Sequence, residues 1–139
     1  MEEFDIAIIG GGPAGIMAAI AASADLNIVL LEKNSSLGSK LLITGGGRCN
    51  ITNEKPIKKL LNSFHDKNFL KHSFYTFTNE MLLDLFRNRG LDFIVEDNNR
   101  VFPETEKSQD ILAILKYYLK DITKNTIMKF QILKKKIIL

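Results

Sequence analysis

An α/β fold built on a parallel sheet is predicted by three observations. The run Phe4-Asp5-Ile6-Ala7-Ile8-Ile9 is mostly apolar, as a strand covered on both faces must be. It feeds directly into Gly10-Gly11-Gly12-Pro13-Ala14-Gly15 and a stretch rich in small residues. A second apolar run, Asn27 to Leu31, follows and ends in Glu32. Strand, glycine turn, helix and strand make a βαβ unit, whose crossover is right-handed.

Each element has a local reason. Pro13 or Ala14 opens the first helix, which runs to about Ser23, and Ala14, Ala18, Ala19, Ala21 and Ala22 let it lie close to the sheet. Asn34 to Asn53 is interrupted by Gly38, Gly45, Gly46 and Gly47. It is neither Ser/Pro-rich nor uniformly polar, so it reads as a long functional loop. Ile57, Leu60, Leu61 and Phe64 have helical spacing behind Pro56, and a short helix covers Phe69 to Phe74. Thr78 caps a helix that places Met81, Leu82, Leu85 and Phe86 on one face, and Gly90 stops it. Leu91 to Val95 is a short strand, Asp97-Asn98-Asn99 a turn, and Arg100 to Phe102 the returning arm. From Ser108 a helix carries Ile111, Leu112, Leu115, Tyr118, Leu119 and Ile122. Thr126 to Leu139 reads as one or two strands. Its uncapped apolar end, Ile137-Ile138-Leu139, is expected to have a partner beyond this chain. No internal repeat and no domain boundary is legible.

Composition narrows the function classes. At 139 residues, 45% hydrophobic and 25% charged, the chain suits one globular domain and not a disordered segment. A net charge of +3 is too weak to imply a nucleic-acid partner. The single cysteine, Cys49, forbids an intrachain disulfide and fits a reduced, cytoplasmic setting. No apolar run reaches the length of a membrane span. Met1-Glu2-Glu3 lacks the basic start of a signal peptide.

The glycine turn carries the first chemistry. Gly10 permits a tight turn, Gly12 leaves room for a pyrophosphate against bare backbone, and Gly15 lets helix and strand approach closely. The helix N-terminus offers free N–H groups and partial positive charge. Glu32 is placed to accept ribose hydroxyls, and its charge disfavours a 2′-phosphate. The alternative is a glycine turn without a ligand. The strand-turn-helix-strand-acid context favours a dinucleotide, with FAD and NAD(H) both open.

The second motif is Leu41-Leu42-Ile43-Thr44-Gly45-Gly46-Gly47-Arg48-Cys49-Asn50-Ile51-Thr52-Asn53. Three glycines in a row can expose backbone N–H groups, and Arg48 adds a fixed positive charge. Asn50, Thr52 and Asn53 offer short polar side chains. A structural loop of solvated residues is the competing reading.

The combination of GGGPAG, LLEKNSSLGSKLLITGGGRCNITN and DNNRVFPETEKSQDIL resembles the N-terminal part of a bacterial NAD(P)/FAD-dependent oxidoreductase family, the aminoacetone oxidase-like or BaiN-type flavoproteins. The resemblance covers nearly the whole chain, and TGGGRCNITN is its most distinctive part. It implies a Rossmann-like FAD-binding domain of the two-dinucleotide-binding-fold type, truncated here. The rest of the FAD domain and the substrate domain would lie beyond residue 139. By position, Gly10, Gly12, Pro13, Ala14 and Gly15 would face the FAD pyrophosphate, and Glu32 and Lys33 the adenosine ribose. Lys40, Thr44, Gly46, Arg48, Cys49 and Asn50 would run toward the flavin. The implied activity is hydride transfer through noncovalent FAD between a small-molecule substrate and a donor such as NAD(P)H. An NAD-dependent dehydrogenase fragment and an inert nucleotide-binding module are the alternatives.

The remaining residues read more blandly. Cys49 has no second cysteine for flavin-disulfide exchange, and a small packed residue is favoured over a reactive thiol. His65 and His72 have no Cys, Asp or Glu at ligand spacing, so no metal is expected. Arg100 is balanced between a substrate-anion contact and an ordinary hairpin arm. The lysines from Lys120 to Lys136 read as a solvated face. No acid or base catalyst is assigned, because in flavoenzymes the cofactor carries the reaction.

Overall fold

The computed structural model of the chain describes residues 3–22, 25–121 and 126–129. They divide into two compact units. Met1–Leu41 and Leu115–Leu139 form the first, and Leu42–Ile114 forms the second.

The first unit is the predicted βαβ. Strand β1 (Ile6–Ile9), helix α1 (Pro13–Ala21) and strand β2 (Ile28–Glu32) follow in order. The strands pair in parallel, Ile6 opposite Ile28 and Ile9 opposite Leu31. A further parallel strand, β6 (Thr126–Lys129), lies on the other side of β2, Leu30 opposite Ile127, giving the order β1-β2-β6. Central β2 buries Ile28, Val29 and Leu30. Ile16 and Ala19 of α1 are both at 0% exposure, which is why this face of the helix carries one small and one branched residue.

Strand β1 differs from expectation. It alternates half-buried Ile6 and Ile8 with exposed Ala7 and Ile9, the last 79% exposed. Among the described residues β1 has a strand neighbour on one side only, so it lacks the double cover that β2 enjoys.

The second unit centres on a three-stranded antiparallel sheet. Its strands are β3 (Thr52–Asn53), β4 (Phe93–Glu96) and β5 (Arg100–Pro103), in the order β3-β5-β4. Helices α2 (Ile57–Leu61), α3 (Lys67–Thr76) and α4 (Asn79–Arg87) connect β3 to β4. The final helix, α5 (Ser108–Asp121), belongs to this unit up to Ile114 and to the first unit from Leu115. The core of the second unit is Leu61, Leu83, Phe86, Leu91, Val101, Phe102, Ile111 and Leu112.

Most boundaries follow from local signals. Thr78 Oγ1 accepts the Met81 N–H at 3.2 Å, capping α4, and Gly90 ends it with φ of +76°. Asp66, unremarked in the sequence, caps α3 by accepting the Phe69 N–H at 3.0 Å. Within α4 the fully buried residues are Leu83 and Phe86, while Met81 is 48% exposed, so the helix is rotated from the face expected. Asn98 and Asn99 take the left-handed conformation that reverses the chain between β4 and β5, and asparagine tolerates it. Ser23, Ile122 and residues 130–139 lie outside the described residues.

Candidate functional site

A cavity of about 430 Å³ opens in the first unit at the C-terminal ends of β1 and β2. Parallel α/β sheets bind their ligands at this end. Gly10, Gly12 and Pro13 form one wall, and Glu32, Lys33 and Lys40 another. Asn34, Gly38 and Ser39 also line it, and none of these three was singled out as a site residue. The only hint was position, since all sit in the loop leaving Glu32. Ala14 and Gly15 do not line the cavity.

Backbone hydrogen bonds build this pocket. Gly10 N donates to Leu31 O at 2.8 Å, and Gly38 N donates to Gly11 O at 2.8 Å. Ile16 N donates to Gly12 O at 2.9 Å, the first bond of α1. The α1 N-terminus has no side-chain cap and no acidic residue in its first turn, so its positive end stays unneutralised by its own helix.

The glycines answer to different needs. Gly10 has φ of +102°, a conformation that disfavours every L side chain. A methyl on Gly11 would run into Leu37 Cδ2 and stand 3.1 Å from Glu32 Oε2. A methyl on Gly15 would overlap the Gly10 carbonyl oxygen. Gly12 is unlike all three. Its φ of −80° and ψ of 179° are ordinary extended backbone, and a methyl there would meet nothing within 4 Å.

Glu32 ties the turn to the second strand. Its Oε2 accepts the Gly11 N–H at 2.7 Å, and its Oε1 accepts the Asn34 N–H and Asn34 Nδ2–H, both at 2.8 Å. The Asn34 and Gly11 backbone N–H groups hold the carboxyl below the usual carboxylate range, so Glu32 is ionised at neutral pH.

From Leu42 onward the second predicted motif belongs to the second unit. Gly45, Gly46 and Gly47 all have positive φ, at +55°, +68° and +90°. Thr44 and Gly46 are exposed. Cys49 N donates to Thr44 O at 3.0 Å and closes the turn. Cys49 is 2% exposed, and burial pushes its thiol up, away from the thiolate. Asn50, with its amide oriented to suit its neighbours, donates from Nδ2 to Thr52 O at 2.9 Å and to Val101 O at 3.2 Å. Arg48 is turned onto Glu96 and Glu106, which hold its guanidinium charged well above the usual range. Arg100 is exposed, and its Nη2 lies 3.6 Å from Glu96 Oε2.

Among the described residues, no three His, Cys, Asp or Glu side chains gather to hold a metal ion, and no helix is long and apolar enough to cross a membrane.

A parallel βαβ with a glycine turn, an acid at the end of β2 and a cavity between them is the geometry of a Rossmann domain. Residues 4–137 match the family model described as the HI0933-like protein Rossmann domain. The chain belongs to that family. Similar to this HI0933-like domain is the 3-dehydro-bile acid delta(4,6)-reductase of Clostridium scindens, 34% identical over 118 residues, 83% of this chain and 28% of the relative. The ribosomal RNA dihydrouridine synthase of Escherichia coli is 33% identical over 118 residues, again 83% of this chain and 28% of the relative. The chain therefore spans little more than a quarter of the length of these curated relatives. Among solved structures, THI4 of Thermovibrio ammonificans superposes with a TM-score of 0.57 at 15% identity, over 90% of this chain and 38% of that one, a likeness of fold.

Proposed function

We propose that this HI0933-like domain grips the ADP half of FAD and forms the N-terminal part of a flavin-dependent oxidoreductase. The observation that carries the reading is Gly12. The fold does not require glycine there, because the backbone is ordinary and the space beside it is empty. A pyrophosphate laid against that bare backbone does require it. In this reading the α1 N-terminus faces the phosphates, Glu32 accepts from the adenosine ribose, and Lys33 and Lys40 border the anion. The ionised Glu32 disfavours a 2′-phosphate, so NADP is a poor occupant of this cavity. Thr44, Gly46 and their neighbours would line the path toward the flavin. When bound, FAD supplies hydride transfer; the chain's own residues bind and orient it. The reaction and the cytoplasmic setting belong to the whole protein.

Reductase and RNA-modifying relatives stand at near-equal identity, so a second substrate class has equal support.

Titration of the purified chain with ADP, FAD, NAD and NADP tests the binding reading. ADP and FAD should bind, and NADP should bind more weakly than NAD. Gly12→Ser keeps a good helix N-cap and should leave the melting temperature within about 3 °C of the parent. It should cost about tenfold or more in ADP affinity, since the side chain occupies the phosphate's place. Failure of the parent chain to bind either ADP or FAD would overturn the reading.

A further inference from the structure

Glu32 borders the cavity, yet most of its carboxylate is already engaged. Its Oε2 accepts the Gly11 N–H at 2.7 Å, and its Oε1 accepts both the Asn34 N–H and the Asn34 Nδ2–H at 2.8 Å. An ionised carboxylate has roughly four acceptor sites. The chain's own three donors leave about one of them, on Oε2. A ribose brings two vicinal hydroxyls. Glu32 cannot accept from both without giving up a bond it already makes.

Asn34 carries a second acceptor. It lines the same cavity. Chemistry settles which way its amide faces: a carboxylate only accepts, so the atom 2.8 Å from Glu32 Oε1 is the nitrogen. The carbonyl oxygen, Oδ1, is the other end of the amide, and among the described residues no donor reaches it. The loop behind Asn34 is fixed to the glycine turn. Gly38 N donates to Gly11 O at 2.8 Å, and buried Leu37 puts its Cδ2 where a Gly11 side chain would stand. Asn34 itself is exposed, so Glu32 and not burial holds its side chain.

Two acceptors on hydrogen-bonded neighbours suit a particular ligand group. A cis-diol brings two donors and satisfies both. A deoxy sugar leaves an acceptor unpaired, and a 2′-phosphate brings acceptors to acceptors.

We propose, resting on the nucleotide reading above, that Asn34 is a specificity-determining residue: Glu32 anchors its Nδ2, and its Oδ1 accepts one ribose hydroxyl while Glu32 Oε2 accepts the other.

Titration calorimetry of the purified chain with ADP and 2′,3′-dideoxy-ADP tests this. The two ligands share adenine and pyrophosphate and differ only in the two hydroxyls. A hydrogen bond to the charged acceptor is worth about tenfold and one to the neutral acceptor about fivefold. The parent should therefore bind ADP about fiftyfold more tightly than the dideoxy analogue. Asn34→Ala should reduce that ratio to about tenfold or less and leave dideoxy-ADP affinity unchanged. The position is exposed, so the melting temperature should stay within about 3 °C of the parent. Asn34→Leu keeps roughly the same size without polar atoms and should reproduce the reduced ratio should Asn34→Ala fail to fold. A residue that only held the loop would weaken both ligands alike, and that result overturns the assignment. A parent ratio near one, or an unchanged ratio in a folded variant, overturns it as well and leaves the nucleotide reading standing. A parent chain that binds neither ADP nor FAD overturns the nucleotide reading and the role of Asn34 together.

Discussion

Replacing Gly45 with alanine puts a methyl group 2.8 Å from Asn50 N and 3.0 Å from Phe102 Cε1, at a residue whose φ is +55°. Two costs follow, and a neighbouring substitution separates them. The left-handed conformation costs an L residue roughly 1–2 kcal/mol more than glycine. Crowding a backbone nitrogen and a buried ring adds about 1–3 kcal/mol, because neither can retreat without disturbing β5 or the Asn50 turn. At Gly46 the conformation is the same, with φ of +68°, but a methyl meets nothing within 4 Å, so only the first cost applies. A chain of this length unfolds with an entropy of about 0.3 kcal/mol/K, so each kcal/mol moves the melting temperature by about 3 °C. Gly45→Ala should therefore lower it by roughly 6–15 °C and Gly46→Ala by roughly 3–6 °C. Thermal melts followed by far-UV circular dichroism measure both. Equal shifts for the two variants would refute the packing argument, and no shift in either would refute the conformation assigned to the turn.

Gly15→Ala would drive a methyl into the Gly10 carbonyl oxygen and to 3.1 Å from the Gly10 carbon. It should cost about 1–3 kcal/mol in urea denaturation and weaken ADP as the turn is displaced; an unperturbed variant would show that helix and turn are not in contact. Acid stability should depend on Glu32 and Glu96. The Asn34 and Gly11 N–H groups lower the first, and Arg48 lowers the second, from the ordinary value of 4.5. A depressed carboxyl contributes stability above its unfolded pKa and loses it as pH falls through the lower folded value. Urea midpoints should therefore fall below about pH 4.5, and less steeply in Glu96→Gln. An identical slope in Glu96→Gln would refute the linkage.

The cavity was legible because its chemistry is local. Ile9 to Lys40 is one continuous stretch, and glycine, proline and a strand-ending acid each announce their role by position. The ion pairs of Arg48 were not legible, because its partners Glu96 and Glu106 lie 48 and 58 residues away and charged residues carry no periodicity to reveal such pairs. The division into two units was hidden for another reason. Its boundaries fall inside Leu41-Leu42 and inside helix α5, and neither carries the glycine, proline or polar run that marks a linker. The rotation of α4 reflects the choice of Leu83 over Met81 by the surrounding core, which helical spacing alone cannot decide. Asp66 was missed as a cap because Phe64, His65 and Asp66 interrupt any clean periodic start.

The unequal demands on the glycine turn bear on how the sequence would drift. Gly10, Gly11 and Gly15 are required by the backbone, a neighbouring side chain and a carbonyl oxygen, so folding alone would retain them. Gly12 has no such guardian. In a descendant that had given up its ligand but still folded, selection would relax first at Gly12, and a serine or alanine there with its three companions intact would identify a domain that has kept the shape and abandoned the trade.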